Sequence, residues 1–264
     1  MSATTMRIDG RSLEQIRPVT ILYNAFGYAD SSVLISVGNT KVLCTVTVQN
    51  GVPPFLRGQQ SGWLTAEYAM LPNSGSQRIP REISLMRKNG RSTEISRLIG
   101  RALRVMVDLK PLGERTITVD CDVLQADGGT RVAAITGASL ALQCAEKHWL
   151  KNKLISEPIV RDAVAAISVG IQHADVLVDP NYAEDSELTA DCNVIMTRSG
   201  KVVEFQVGAE KEALSWEQLQ QVHAVAYKGI QHLFTLVDGE QPRKHDAKKP
   251  ISKRNVPLFS LQNR

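Results

Sequence analysis

The stretch Ile117-Thr118-Val119-Asp120-Cys121-Asp122-Val123-Leu124-Gln125-Ala126-Asp127-Gly128-Gly129-Thr130-Arg131 changes its grammar halfway along. Ile117, Val119, Cys121 and Val123 alternate with more polar residues, the period of a strand with one buried face. Asp127-Gly128-Gly129 ends the alternation, and Val132 to Trp149 then reads as a helix rich in Ala and Gly. Such a helix is expected to pack closely on a sheet. A strand, a glycine loop and a helix in that order predict a mixed α/β (α+β) architecture.

The flanks repeat the pattern. Val33, Ile35 and Val37 alternate up to Gly38-Asn39-Thr40, and Val42, Cys44, Val46 and Val48 continue beyond it, which predicts a hairpin. Ile95, Leu98, Ile99, Ala102, Leu103 and Met106 form one apolar stripe at helical spacing. Further on, Ala165 to Ile171 and Val176 to Asp179 read as strands. Asn193 to Met196 and Lys201 to Val207 read as a hairpin about Ser199-Gly200. Ser215, with Gln218 three residues later, reads as a capping box opening a long helix. The two hairpins suggest a duplicated strand-hairpin-helix unit.

The chain has 264 residues, 43% of them hydrophobic and 22% charged, enough to build a sizeable core and too apolar for disorder. Its apolar runs are broken by charge well short of the roughly 20 residues a membrane span needs, and Met1 to Arg11 lacks the apolar run of a secretory signal. Cys44, Cys121, Cys144 and Cys192 are widely spaced, with no C-x-x-C pair, and read as buried free thiols of a cytoplasmic protein. The five histidines show no ligand spacing. Of the net charge of +4, the segment 241–264 carries +6 (seven Lys/Arg, one Asp), which leaves −2 for the rest. That segment reads as an exposed basic tail, equally suited to an acidic partner or to solvent.

Three clusters carry chemistry. Between Arg78 and Arg104 stand eight Lys/Arg against Glu82 and Glu94. Arg91 lies just before the striped helix, where an arginine beside a helix N-terminus suits a phosphate. Arg78 and Arg81 follow a surface loop, and Arg97, Arg101 and Arg104 share one helix face. A solvated helix face with surface ion pairs explains the same stretch equally well. The second cluster, Gly129-Thr130-Arg131, offers backbone N–H groups, a hydroxyl and a guanidinium to an anion, but lacks the Gly-Lys-Ser/Thr of a Walker loop. A tight turn would need the same glycines. The third runs from Asp175 to Asp191, with six Asp/Glu and no Lys or Arg. Crowded carboxylates suit a hard cation such as Mg2+, although Asp185-Ser186 taken alone reads more readily as a turn cap. Arginines for phosphate and carboxylates for a metal together form a parts list for phosphoryl or nucleotidyl transfer.

The same residues resemble the ribonuclease PH family of phosphate-dependent, tRNA-trimming exoribonucleases, over roughly Arg7 to Phe234. The resemblance is carried by Asp9-Gly10-Arg11, Arg17-Pro18-Val19, Val42-Leu43-Cys44-Thr45, Gly62-Trp63-Leu64-Thr65-Ala66-Glu67-Tyr68, Gly90-Arg91, Arg97-Leu98-Ile99, Cys121 through Arg131, Glu184-Asp185-Ser186 and Asp191-Cys192-Asn193-Val194. It implies a fold like that of ribonuclease PH and of domain 2 of ribosomal protein S5. One catalytic domain would span 1–240 in two related halves, about 1–150 and 151–240, ahead of the tail 241–264.

By the same resemblance Asp185 and Asp191 are the catalytic, metal-binding acids. Arg91, Gly129, Thr130 and Arg131 hold phosphate, and Arg78 and Arg81 hold the tRNA acceptor stem. The implied reaction is reversible, magnesium-dependent (or manganese-dependent) phosphorolysis of tRNA precursors, and of rRNA 3′ ends, to nucleoside diphosphates. The implied assembly is a homo-hexamer, a trimer of dimers, in the cytoplasm and off the membrane. Asn73 stands where the family has a further basic residue, Val207-Gly208-Ala209-Glu210 replaces Gly-Thr-Ala-Glu, and Asp191-Cys192-Asn193 replaces Asp-Met-Asn. The alternatives are a hydrolytic metal-dependent 3′ exonuclease, which has no use for a phosphate cradle, and a non-catalytic RNA-binding ring subunit, which would be expected to lack the acids or arginines.

Overall fold

The computed structural model describes residues 7–81, 89–172 and 175–239. The alternating run at 117–123 lies in a five-stranded sheet built from β1 (Val19–Tyr23), β2 (Ser31–Val37), β3 (Thr40–Asn50), β4 (Trp63–Met70) and β5 (Arg115–Gln125). Their order is β1-β2-β3-β5-β4. The predicted hairpin is β2–β3, turning at Gly38-Asn39 with Gly38 at φ +55°. Neighbours run antiparallel except β4 with β5, which are parallel and so need a crossover. Helix α1 (Gly90–Met106) lies in it and buries the predicted stripe Ile95, Leu98, Ile99, Leu103 and Met106 completely. Truncating one such side chain to alanine costs about 2–5 kcal/mol.

The second sheet contains β6 (Val164–Gln172), β7 (Asp175–Val178), β8 (Ala190–Thr197) and β9 (Val202–Ala209), all antiparallel, in the order β7-β6-β8-β9. A short helix α3 (Tyr182–Asp185) joins β7 to β8, and α4 (Trp216–Gly239) covers β6, β7 and β8. The capping box at its start forms as expected: Ser215 N donates to Gln218 Oε1 (2.9 Å) and Gln218 N to Ser215 Oγ (3.3 Å).

Helix α2 (Thr130–Lys151) touches β2, β3 and β5 of one sheet and β6 of the other. It is buried nearly all round, so it carries no one-sided apolar stripe, and small residues let it approach both sheets. A Cβ on Gly137 would stand 2.8 Å from both Cys44 Sγ and Ile35 Cγ2. The cysteines are free thiols; Cys44, Cys121 and Cys192 are buried, and Cys144 is partly so. No helix among the described residues is long and apolar enough to cross a membrane.

Several expectations shift. The sequence periods predict neither β1 nor β4, although Leu64, Ala66 and Tyr68 alternate inward along β4. Helix α2 starts at Thr130 rather than Val132, so Thr130 and Arg131 sit on its first turn. Helix α1 starts at Gly90, so Arg91 is inside the helix rather than before it. β7 stops at Val178, and Asp179 leaves it at φ +51°. The tail 241–264 and residues 82–88, including Arg87 and Lys88, lie outside the described residues.

Candidate active site

Gly128 (φ +76°) and Gly129 (φ +67°) turn the chain from β5 into α2. Both conformations favour glycine, and a Cβ on Gly128 would also lie 2.7 Å from Pro180 O. Gly129 is the N-cap of α2, and no side chain caps the helix. Its first-turn N–H groups and positive end therefore remain available to an anion. The loop is held from outside: Thr40 Oγ1 donates to Gly128 O (2.6 Å), Asn39 Nδ2 donates to Asp127 Oδ2 (3.1 Å), and Arg17 Nη1 donates to Asp127 O.

The predicted phosphate residues converge at this end. Tyr68 of β4 donates its hydroxyl hydrogen to Thr130 Oγ1 (2.9 Å). Arg131 is steadied by Gln206 Oε1 of β9 (3.2 Å) and by Glu94 of α1 (3.6 Å). Arg91, on the first turn of α1, has its backbone N bound by the Asn89 side chain (3.0 Å) and its side chain exposed. Arg91 and Arg131 act on the same three groups: their charges lower the proton affinity of Asp185, Asp191 and Tyr68. Those groups come from α3, β8 and β4, so the two arginines and both predicted acids share one site.

Asp185 ends α3, whose capping box uses Asn181 and Glu184. Asp191 sits in β8 opposite Gly208 of β9 and accepts from Asn193 Nδ2 (2.9 Å). Both carboxyls are pushed above the usual carboxylate range. For Asp185, desolvation is the main cause, followed by Asp191 and Glu210. For Asp191, desolvation again leads, and Glu210 adds to it against Asn193 and the arginines. Glu210, just after β9, is thus a third acid of the site, and the sequence reading gave it no role. Among the described residues neither aspartate forms an ion pair. Among the described residues no three His, Cys, Asp or Glu side chains gather closely enough to hold a metal ion, so Asp185 and Asp191 fit only a small divalent cation that takes its other ligands from water or substrate.

These shifts predict a cost to the fold. A raised carboxyl pKa means stability lost as pH rises through it. Asp191→Asn, with chelator present, is expected to melt higher than the parent at pH 8, because the parent's charged carboxylate is destabilising there. The difference should shrink as pH falls and vanish below about pH 3, where the aspartate is protonated in both states. Equal melting curves at pH 8 would remove the repulsion from the site.

The remaining charges of the two clusters do other work. Arg101 makes a two-pronged pair with Glu204 of β9 (2.7 and 2.9 Å). Arg104 donates to Leu64 O (3.0 Å) and lies over the Trp63 ring (4.9 Å). Those two are ties between elements. Arg97 is exposed. Arg78 and Arg81 are exposed on the segment after β4, with no acidic partner among the described residues.

Of the six acids, Asp179 and Glu184 are claimed by buried arginines. Arg17 pairs with both Asp179 oxygens (2.6 and 2.9 Å). Arg7 holds Glu184 through Nε (2.6 Å) and Nη2, and Arg11 reaches Glu184 Oε2 (3.3 Å). This lattice fixes both α3 and the glycine loop. The sequence motifs contained all three arginines without showing what they bind.

Two family models match the chain, 3′ exoribonuclease family domain 1 over residues 15–148 and domain 2 over residues 162–229. Among solved structures, the fold is similar to a chain of the Archaeoglobus fulgidus exosome with RNA bound to the active site, at TM-score 0.76 and 23% identity over 88% of this chain and 92% of that one. It is similar to an archaeal exosome core chain at TM-score 0.71 and 23% identity, over 88% and 91%. Rice (Oryza sativa) Rrp46 matches at TM-score 0.72 and 18% identity, over 88% and 98%.

Proposed function

The chain belongs to the 3′ exoribonuclease family, and from that premise we propose that it is a phosphorolytic 3′-to-5′ exoribonuclease of the ribonuclease PH type. Its substrates are the 3′ ends of tRNA precursors, and of rRNA, and its products are nucleoside diphosphates. What carries the reading is that the charges of Arg91 and Arg131 both act on Asp185 and Asp191, with Arg131 on the first turn of α2, whose start no side chain caps. A hydrolytic nuclease needs the acids but not a cradle for free phosphate.

In this reading, inorganic phosphate rests on Arg131, Arg91 and the Gly129-Thr130 backbone, with the Thr130 hydroxyl oriented by Tyr68. The guanidinium groups hold it in line with the last phosphodiester and spread the charge that develops on attack. The terminal nucleotide leaves as a diphosphate, and high diphosphate reverses the reaction. Asp185 and Asp191, in the field of Glu210, would hold Mg2+ or Mn2+. When bound, that ion supplies charge neutralisation at the non-bridging and leaving oxygens. Arg78 and Arg81 meet the acceptor stem outside the site. The working form is a homo-hexamer, a trimer of dimers, in the cytoplasm.

The test is the identity of the product. A tRNA with a short 3′ extension, incubated with magnesium, should release nucleoside diphosphates only when phosphate is added. Monophosphates without phosphate would establish hydrolysis instead, and RNA bound without release would point to an inactive ring subunit. Arg131→Ala should raise the phosphate KM by about 10- to 100-fold, the loss of a charge-assisted hydrogen bond. An unchanged phosphate dependence would put the cradle elsewhere.

A further inference from the structure

A cleft of about 750 Å³ opens beside the proposed active site. Its volume is within the roughly 300–1,000 Å³ typical of small-molecule sites. One wall is the loop after β4, with Ser74 and Gln77; the end of β5 gives Gln125, the β2–β3 turn gives Asn39, and Asp127 and Tyr182 close the other side.

The composition of this cleft differs from that of its neighbour. Among the described residues that line it there is no lysine or arginine, so it is not a second phosphate cradle. It offers side-chain amides, which both donate and accept, and one aromatic face. The Ser74 hydroxyl in its wall is buried, the residue being 3% exposed, and has no hydrogen-bond partner among the described residues.

Tyr182 stands 63% exposed at the start of α3, where its ring lines the cleft. It is held there firmly. Its N donates to Asp127 Oδ1 (3.3 Å), and Asn181 and the Arg7-bound Glu184 lock the short helix that carries it. Asp185 lies three residues on, about one helical turn away.

We propose that Tyr182 is a stacking platform for the base of one of the two 3′-terminal nucleotides, with the cleft amides facing the base edge. The inference rests on the exoribonuclease reading and names the part of that substrate which the arginines leave unbound. Stacking tolerates every base, which suits an enzyme that removes nucleotides in succession.

Full-length protein, Tyr182→Ala and Tyr182→Phe are compared with single-stranded RNA carrying 2-aminopurine at the last or the penultimate position. Binding is read from the quenching of its fluorescence, and release is read separately with phosphate present. The parent and Tyr182→Phe should quench at one of the two positions. Tyr182→Ala should lose the quench and raise the RNA KM by about 5- to 100-fold, with kcat changed less. An abasic nucleotide at the quenched position should weaken the parent but not Tyr182→Ala. Unchanged quenching in Tyr182→Ala, equal loss in Tyr182→Phe, or an abasic penalty that persists in Tyr182→Ala would each overturn the proposal. Tyr182-dependent quenching without any nucleotide release would leave the platform standing and remove the phosphorolysis reading. Normal release with a Tyr182-independent quench would do the reverse.

Discussion

Asp185→Asn is expected to lower phosphate-dependent nucleotide release by about 100- to 1,000-fold, the range seen when one preorganised charge-stabilising group is removed. The substitution keeps the shape of the side chain and removes only its charge. Asp185 feels the negative charges of Asp191 and Glu210 and the opposing positive charges of Arg91 and Arg131. In the proposed mechanism its negative charge is what draws a divalent cation to the reacting phosphate. RNA affinity, measured without turnover, should stay within about threefold, because Arg78, Arg81 and the arginine cradle are untouched. The fold should not suffer either. Asp185 is at the end of α3 and its raised carboxyl pKa shows that its charge is a burden there. A variant that keeps more than about a tenth of the parent rate would remove Asp185 from the chemistry, whatever happens at Asp191.

The largest expected effect on stability lies behind the site. Asp179→Asn should cost about 3–5 kcal/mol, the usual penalty for breaking a buried ion pair from one side. The Arg17 side chain is 5% exposed and that of Asp179 is 4%, so neither recovers its charge partner from water. Asparagine keeps the left-handed backbone at φ +51° accessible, so the loss reports the charge and not the turn. At about 2–4 °C per kcal/mol for a domain of this size, melting should fall by roughly 10 °C. Arg17 also holds the carbonyl oxygens of Asp127 and Gly128. Activity should therefore fall more steeply with temperature than in the parent. A melting point within 2 °C of the parent for Asp179→Asn would mean that the lattice does not brace the fold.

How much of this was legible depends on what local pattern can encode. The hairpin at Gly38-Asn39, the stripe from Ile95 to Met106 and the strand-to-helix passage at Asp127-Gly128-Gly129 are written in periods and turn residues, and each stands in the structure. β4 was passed over because Thr65 and Glu67 make it look like a polar segment, while its burial comes from α1 and β5. The acidic run shows the limit most clearly. Asp179 and Asp185 are alike in sequence, both in a lysine-free stretch. Only the fold separates them, by bringing Arg17 from 162 residues away onto one and leaving the other in open repulsion. The same holds for the basic run, where Arg101 and Arg104 tie elements together and Arg91 keeps its charge for the site. The domain plan and the roles of the site residues came from resemblance to a family rather than from spacing.

The arginine lattice also sets a clock. Arg7, Arg11 and Arg17 are synthesised more than 160 residues ahead of their partners at 179–184. At about 5–20 residues per second, a ribosome leaves those three cations waiting for roughly 10–30 s. Until Asp179 emerges, the Arg17 that braces the glycine loop lacks its carboxylate partner, so an unfinished chain cannot close the site. In the proposed reading, a protein that degrades RNA from its ends is thereby assembled too late to act on RNA while still attached to the ribosome by an incomplete second half.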